Sequence, residues 1–465
     1  MAEESMSKII GRFAPSPTGL LHIGGARTAL FAWLYSKSLE GDCLLRLEDT
    51  DSERSKREYT DSIIESFKWM GIEFDQEPVY QSRNKDKHLD KALELVNKGQ
   101  AYYCDCSPER LKKIREEQQK RREKPKYDGK CRELDLEKGP NTVIRFKNPE
   151  AGAVILKDLV RGQMEVANKE LDDLILVRSD GNPTYNLCVV VDDLDMKISH
   201  VIRGDDHINN TFRQINIFKA LGESVPVYGH VPMILGEDGK RMSKRHGAVN
   251  VLEYKDLGIL PEAFLNYIVR LGWSYGDQEM FKLKELIKIF KDGKLNNSPA
   301  SFSYEKLLWF NREYFLKMEN KTLLDLLAPT SNQFEQDNYS AEVINLIKER
   351  CSLLSEFENE GSYFFDDSLI IDNKDASKIF TEQAIAILKP LVEGFKELTN
   401  WQVEDIKNLF NEIMKKNEVG MASVGKPLRL AITGRTNSAS VDATCLVLGR
   451  EKVIKRLEEA IKNYS

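Results

Sequence analysis

The 465-residue chain has no run of apolar residues near the 18 or so that a helical membrane span requires, so none is expected. Cysteine is scarce. Seven thiols over this length do not make a disulfide framework, and a reducing cytoplasm is the compartment they fit. No strong charge of either sign is present: 68 basic and 74 acidic residues leave a net −6. That balance excludes a protein that coats nucleic acid non-specifically, but it leaves open a folded nucleic-acid partner, because only the charge at the contact face matters. Met1 to Lys8 lacks an apolar h-region, so no signal peptide is expected. Internal repeats and low-complexity linkers are missing too. G-x-x-x-x-G-K-[ST] does not occur, and neither does a strand-linked G-x-G-x-x-G, so P-loop and dinucleotide readings lose their anchors.

What is present is a globular composition. Hydrophobic residues are 41% and charged residues 31% of the chain, enough for a real core and a solvated surface. At about 150 residues per domain the length suggests roughly three units of fold. Lys8–Phe13 reads as a strand, Pro15–Gly19 as turn chemistry, and Ala26–Ser38 as a helix. Asp42–Leu47 is a second strand, ending in the acidic Glu48-Asp49-Thr50-Asp51, and helical patterning resumes over Tyr59–Met70. This alternation predicts an α/β N-terminal half with a parallel sheet whose ligands sit at the strand carboxyl ends. Ser107-Pro108-Glu109 is a helix start, with an N-cap serine and proline at the first helical position. Val143–Val201 reads as short strands, and helix returns after Asp206. From about Ser303 the chain is mostly amphipathic helix. Its stripes are Val343, Ile347, Cys351 and Leu354; Ile406, Leu409, Phe410 and Ile413; and Val453, Leu457 and Ile461.

Two segments carry chemistry. Leu21-His22-Ile23-Gly24-Gly25-Ala26 stands at the first strand–helix turn. Its glycines permit close approach of a ligand to the backbone, its helix N-terminus offers N–H groups to an anion, and His22 offers a hydrogen bond. A turn histidine satisfied by backbone groups is the alternative. Gly239-Lys240-Arg241-Met242-Ser243-Lys244-Arg245 sets four cations around a serine. It reads either as a clamp for polyphosphate or as a basic surface turn.

Taken together and in this order, the two segments resemble the paired signatures of class I aminoacyl-tRNA synthetases. The run Arg12-Phe13-Ala14-Pro15-Ser16-Pro17-Thr18-Gly19-Leu20-Leu21-His22 and then Leu45-Arg46-Leu47-Glu48-Asp49-Thr50-Asp51 resemble the glutamyl/glutaminyl branch. Pro183-Thr184-Tyr185-Asn186, Val190-Val191-Asp192-Asp193 and His200-Val201-Ile202-Arg203-Gly204-Asp205-Asp206-His207 continue the likeness in order. Within the branch the chain is similar to the bacterial-type glutamyl enzymes. It departs from the general class at Gly25, where histidine is usual, at Arg241, where lysine is usual, and at Arg245, where serine is usual. All three are habits of the branch.

The resemblance implies ATP-dependent activation of L-glutamate, with Mg²⁺ accompanying ATP, followed by transfer to the 2′-hydroxyl of the terminal adenosine of tRNA(Glu). It implies His22 and Lys244 as catalytic residues and His22, Gly24, Gly25, Asp205, Arg241, Ser243 and Lys244 as the ATP site, with Asp206 beside them. Arg12, Ala14, Ser16, Glu48, Tyr185 and Arg203 are the implied glutamate contacts. Glutamate's own chemistry agrees: two carboxylates call for two cationic forks, and one ammonium calls for an acid. The implied domains are a Rossmann-like catalytic domain over 1–95 and 190–250, and an inserted α+β acceptor-binding domain over 96–189. A stem-contact helical domain (251–325) and an all-α anticodon-binding region (326–465) follow. A cytoplasmic monomer without a membrane partner is expected.

Cys104, Cys106 and Cys131 fall in the inserted segment, where some relatives bind zinc with a histidine or tyrosine as fourth ligand. Glu133 occupies the first of those positions and Tyr127 the second; three reduced thiols without a metal are the other reading. Between Ser107 and Arg132 eleven basic residues face five acids, either a solvated helix face or a row of phosphate contacts. Lys426–Gly434 and Leu448-Gly449-Arg450 resemble the helical anticodon domain, with Arg350 either a base-reading residue or a solvated helix arginine. Of the rivals, a glutaminyl enzyme should end in β-barrels, and a shortened tRNA-modifying relative would lack the helical third. A small-molecule adenylyltransferase leaves the insertion without a role. A non-catalytic paralogue is at odds with the intact Arg12, His22, Glu48 and Lys244.

Overall fold

The computed structural model describes residues 8–51, 54–242, 250–292 and 294–465. Two compact units emerge. The first runs to Lys255 and includes Pro261–Tyr304; the second comprises Asp256–Leu260 and Glu305–Ser465.

The first unit is built on a seven-stranded sheet in the order β3-β2-β1-β9-β10-β6-β7. Its strands are β1 (Ile10–Phe13), β2 (Asp42–Leu47), β3 (Val79–Tyr80), β6 (Ala153–Asp158), β7 (Gly162–Ala167), β9 (His200–Gly204) and β10 (Val227–Val231). All neighbours are parallel except the β6–β7 hairpin. Burial explains the composition of the inner strands: β2, Asp-Cys-Leu-Leu-Arg-Leu, is buried at five of its six positions, as a strand covered on both faces must be. Helix α1 (Ile23–Ser38) packs so closely on β1 that a Cβ at Gly11 would lie 2.2 Å from the Ser36 hydroxyl. Any side chain there would push helix and strand apart. Helix α2 (Arg57–Met70) buries Ile63, Phe67 and Met70 and ends at Gly71 in the left-handed conformation.

A second sheet of three antiparallel strands has the order β4 (Ala101–Cys104), β5 (Val143–Phe146), β8 (Ile175–Val177). It shares a core with helices α3 (Lys85–Asn97), α5 (Tyr185–Asp195) and α6 (Ile208–Leu221), through Leu95, Ile144, Phe146, Leu176, Leu187, Val190 and Phe218. The cationic α4 (Pro108–Lys120) leaves this sheet, N-capped by Ser107, whose hydroxyl accepts from the Arg110 N–H. Although β6 and β7 lie inside residues 96–189, they extend the large sheet through β10.

One sequence expectation is corrected here. Val143–Val201 is not all strand, because Tyr185–Asp195 forms α5. Its run Leu-Cys-Val-Val-Val is buried without a break, and an unbroken apolar run has no period by which strand and helix differ.

Among the described residues the second unit is helical and holds no strand. Ile406, Leu409, Phe410 and Ile413 bury one stripe of the helix Val403–Asn417. Val453 and Leu457 do so on Arg450–Tyr464. Val343 and Ile347 are buried on Asn338–Ile347, and Cys351 is buried just past that helix's end. Arg350 sits on a 3-10 turn, partly exposed, and pairs with Glu360 at 2.8 Å. No helix of the described residues is long and apolar enough to cross a membrane.

Candidate active site

At the carboxyl ends of β1, β2 and β9 the first unit opens a cleft of about 450 Å³. The topology places it there: β1 and β9 are neighbours, and the chain leaves them on opposite sides. Its walls bring together Arg12, Ala14, Ser16, His22, Gly24, Gly25, Glu48, Tyr185, Arg203 and Arg241, together with Asp206 and His207. Asp205 is the exception. It does not line the cleft, and its carboxylate is held by Arg161. Ser243, Lys244 and Arg245 lie outside the described residues, but both flanks of that segment are placed. Met242 lines the cleft, and Asn250 forms an antiparallel bridge with His22.

His22 caps helix α1. Its Nδ1 accepts hydrogen bonds from the N–H groups of Gly24 at 3.0 Å and Gly25 at 3.3 Å. These amides are therefore engaged by the ring, which corrects the expectation that they stand free for an anion. The arrangement also fixes the tautomer, since an accepting Nδ1 leaves the proton on Nε2. Desolvation, helped by the Arg241 cation, lowers the His22 pKa and keeps the ring neutral. A Cβ at Gly24 would stand 2.9 Å from the ring, so glycine at this position is what lets the imidazole cap its own helix.

Arg203, 5% exposed, is held on three sides. Its Nε donates to His230 Nε2 at 3.3 Å, one Nη donates to Thr211 at 2.6 Å and Gln214 at 2.8 Å, and the guanidinium lies over the Tyr228 ring. The other Nη is buried and has no partner among the described residues. Such a donor costs free energy unless something accepts from it. Behind it, the His230 Nδ1 is 2.6 Å from Asp158, which fixes Nδ1–H and leaves Nε2 to accept from Arg203.

On the opposite wall Arg12 meets Asp193 at 3.3 Å, Arg46 meets the same carboxylate at 2.6 Å, and Arg46 also meets Glu48 at 3.1 Å. Burial raises the Glu48 pKa despite the opposing pull of Arg46 and Arg12. Tyr185, at the N-terminus of α5, shares a 2.9 Å hydrogen bond with His207 Nδ1. Desolvation and the nearby Arg203 push the His207 pKa down to about 4, so this ring is also neutral at pH 7.

Sequence reasoning assigned no role to Arg46, Asp158, Asp193, His207 or His230. Arg46, Asp193 and His207 do stand inside quoted motif segments. Asp158 and His230 carry no local signal at all.

The cysteine group is a second constellation. The sulfurs of Cys104, Cys106 and Cys131 lie within 4.8 Å of one another, with Cys106 and Cys131 3.5 Å apart. The Tyr127 hydroxyl is 3.4 Å from Cys104 and 3.5 Å from Cys106, whereas Glu133 is exposed and pairs with Lys147 at 3.0 Å. Of the two, it is Tyr127 that stands beside the thiols. A tetrahedral zinc with Zn–S near 2.3 Å sets sulfurs about 3.8 Å apart, so the four groups fit such an ion after a small adjustment.

The fold and this cleft define a class I tRNA synthetase. The family model for the catalytic domain of class I tRNA synthetases (E and Q) matches residues 8–309, and an anticodon binding domain model matches 315–461. The glutamate–tRNA ligase of Legionella pneumophila (strain Paris) is 48% identical over 456 residues, 97% of each chain. That of Francisella philomiragia is 46% identical over 98% of this chain and 99% of its own. Two solved structures are similar throughout. A glutamate tRNA ligase from Elizabethkingia meningosepticum, in complex with its amino acid, is 31% identical over 99% of this chain and 100% of its own, with TM-score 0.90. A glutamate-tRNA synthetase from Elizabethkingia anophelis is 32% identical over 98% and 100%, with TM-score 0.86. The chain belongs to the glutamate–tRNA ligase family.

Proposed function

We propose that this chain activates L-glutamate with ATP and transfers it to the 2′-hydroxyl of the terminal adenosine of tRNA(Glu). The observation that carries this reading is a single cleft in which two buried arginines face a buried glutamate. Arg12 and Arg203 take the two carboxylates, and Glu48 takes the ammonium. Ser16, Tyr185 and the Ala14 backbone complete the amino-acid site. His22 donates its Nε2–H to phosphate. Gly24 and Gly25, their amides already used, offer ATP a flat surface. Asp206, which lines the cleft, is better placed than Asp205 for the ribose or the tRNA terminus.

In the first step an oxygen of the α-carboxylate bonds to the α-phosphorus as the bond to pyrophosphate breaks. Arg241, Ser243 and Lys244 stabilise the charge on that leaving group, and Mg²⁺ enters with ATP. In the second step the 2′-hydroxyl oxygen bonds to the acyl carbon, the bond from that carbon to the phosphate oxygen breaks, and AMP leaves as its phosphate takes up the hydroxyl proton. No side chain is acylated, so catalysis is positioning plus charge stabilisation.

The transfer RNA lies along three regions in this reading: its acceptor end on residues 96–189, its stem on 251–325 and its anticodon on 326–465. Lys112, Lys113, Arg115, Lys120 and Arg122 are exposed and make no ion pair among the described residues, which suits them to phosphates. A helical second unit agrees with a glutamyl rather than a glutaminyl enzyme. In this reading the enzyme works as a monomer in the cytoplasm, where its substrates are.

Aminoacylation with labelled glutamate, ATP and Mg²⁺ on separate tRNA(Glu) and tRNA(Gln) transcripts tests the reading. Charging of tRNA(Glu) is expected. Charging of tRNA(Gln) as well would mark a non-discriminating enzyme, and charging of neither would overturn the proposal.

Cys104, Cys106, Cys131 and Tyr127 would hold a structural zinc that closes the loop between β4 and β5. Metal analysis of the purified protein is expected to find one zinc per chain, lost in Cys131→Ser, together with a lower Tm. Zinc-free wild-type protein of the same Tm would refute the site.

A further inference from the structure

We propose that Asp193, acting with Arg46, is the positioning residue that sets both the carboxylate fork and the ammonium acceptor of the glutamate site. The inference rests on the assignment of Arg12 and Glu48 to substrate made above.

Neither Asp193 nor Arg46 lines the cleft. Asp193 is 1% exposed and Arg46 0%, and both act through a neighbour that does line it. The Asp193 carboxylate accepts from Arg12 Nε at 3.3 Å and from its Nη2 at 3.5 Å, which commits one edge of that guanidinium and leaves Nη1 for a ligand. The same carboxylate accepts from Arg46 Nη1 at 2.6 Å. Arg46 in turn donates its Nη2 to Glu48 Oε1 at 3.1 Å, which leaves Oε2 for an ammonium. One carboxylate therefore orients Arg12 directly and Glu48 through Arg46.

What holds Asp193 in place is its neighbour on α5. Asp192 accepts from Gln81 Nε2 at 2.8 Å, Asn84 Nδ2 at 2.9 Å and His88 Nε2 at 2.8 Å, which pins the helix to the segment entering α3. Burial would raise the Asp193 pKa, but Arg12 and Arg46 outweigh it and keep the carboxylate ionised.

The test compares Asp193→Asn and Arg46→Lys in the full chain, reading the KM for glutamate, the KM for ATP and the inhibition constant of glutarate. Glutarate has both carboxylates and no ammonium. Asp193→Asn is expected to raise the glutamate KM and the glutarate constant about tenfold, because small misplacements of a site are costly, and to leave the ATP KM within about twofold. Arg46→Lys keeps the charge but loses the two-armed bridge between Asp193 and Glu48. It should raise the glutamate KM while leaving glutarate close to wild type. A merely structural role would move the ATP and glutarate constants together in both variants, and that result overturns the proposal. So does an unchanged glutamate KM in both. If Asp193→Asn does not fold, Arg46→Lys decides alone. Arg12→Ala and Glu48→Gln run alongside; if they leave glutamate binding intact, the substrate assignment fails, and the inference with it.

Discussion

Lys244→Ala is expected to slow glutamyl-adenylate formation by about 10²–10³-fold, the loss typical when one donor to a developing anion is removed. The pyrophosphate leaving group gains charge only as the bond to the α-phosphorus breaks, so a lysine directed at it stabilises the transition state more than bound ATP. The ATP KM should therefore change little while the adenylation rate collapses. Binding of tRNA should be spared, because the flanks of residues 243–249 lie at the cleft, with Met242 on its wall and Asn250 bridged to His22. Single-turnover adenylate formation and tRNA affinity, measured on the same preparation, check both halves. An unchanged adenylation rate would remove Lys244 from the mechanism.

Arg203→Ala should act on the other axis of the kinetics. The side chain is buried, and three neighbours, His230, Thr211 and Gln214, have committed hydrogen-bonding atoms to it. Truncation removes the donor offered to the substrate carboxylate and strands those neighbours as well. A buried, hydrogen-bonded charge lost in this way costs about 2–4 kcal/mol, or roughly 30- to 1,000-fold in kcat/KM for glutamate. The ATP KM should stay near wild type. Glutamine is the informative competitor. If the site reads the anion through Arg203, the variant loses its preference for glutamate over glutamine as it loses rate. An unchanged preference would mean that another group reads the side-chain carboxylate.

Much of this site was legible in short segments. Arg12 through His22 is contiguous and holds several residues that the fold delivers to the cleft, and Leu45 through Asp51 adds Glu48, because a strand end and the turn after it sit together in any parallel sheet. The helical second unit was legible too, through stripes of buried residues such as Ile406, Leu409, Phe410 and Ile413. Helix α5 was not, since an unbroken apolar run carries no period. The state of the Gly24 and Gly25 amides was likewise hidden, because only the ring orientation of His22 decides whether they are free or capped.

The sequence by itself determined the family, the reaction and most of the polar residues that line the cleft, since those reside in local motifs whose order survives without coordinates. Tertiary structure alone decided how those residues are held. Arg12 is tied to Asp193 across 181 residues, Arg46 to Asp193 across 147, and His230 to Asp158 across 72. It also chose Tyr127 over Glu133 beside the three thiols and turned Asp205 away from the cleft toward Arg161. Periodicity and motif spacing report what happens within a few turns of chain. Buried charge pairing depends on which distant side chains the sheet order brings within hydrogen-bonding reach, and no local pattern records that.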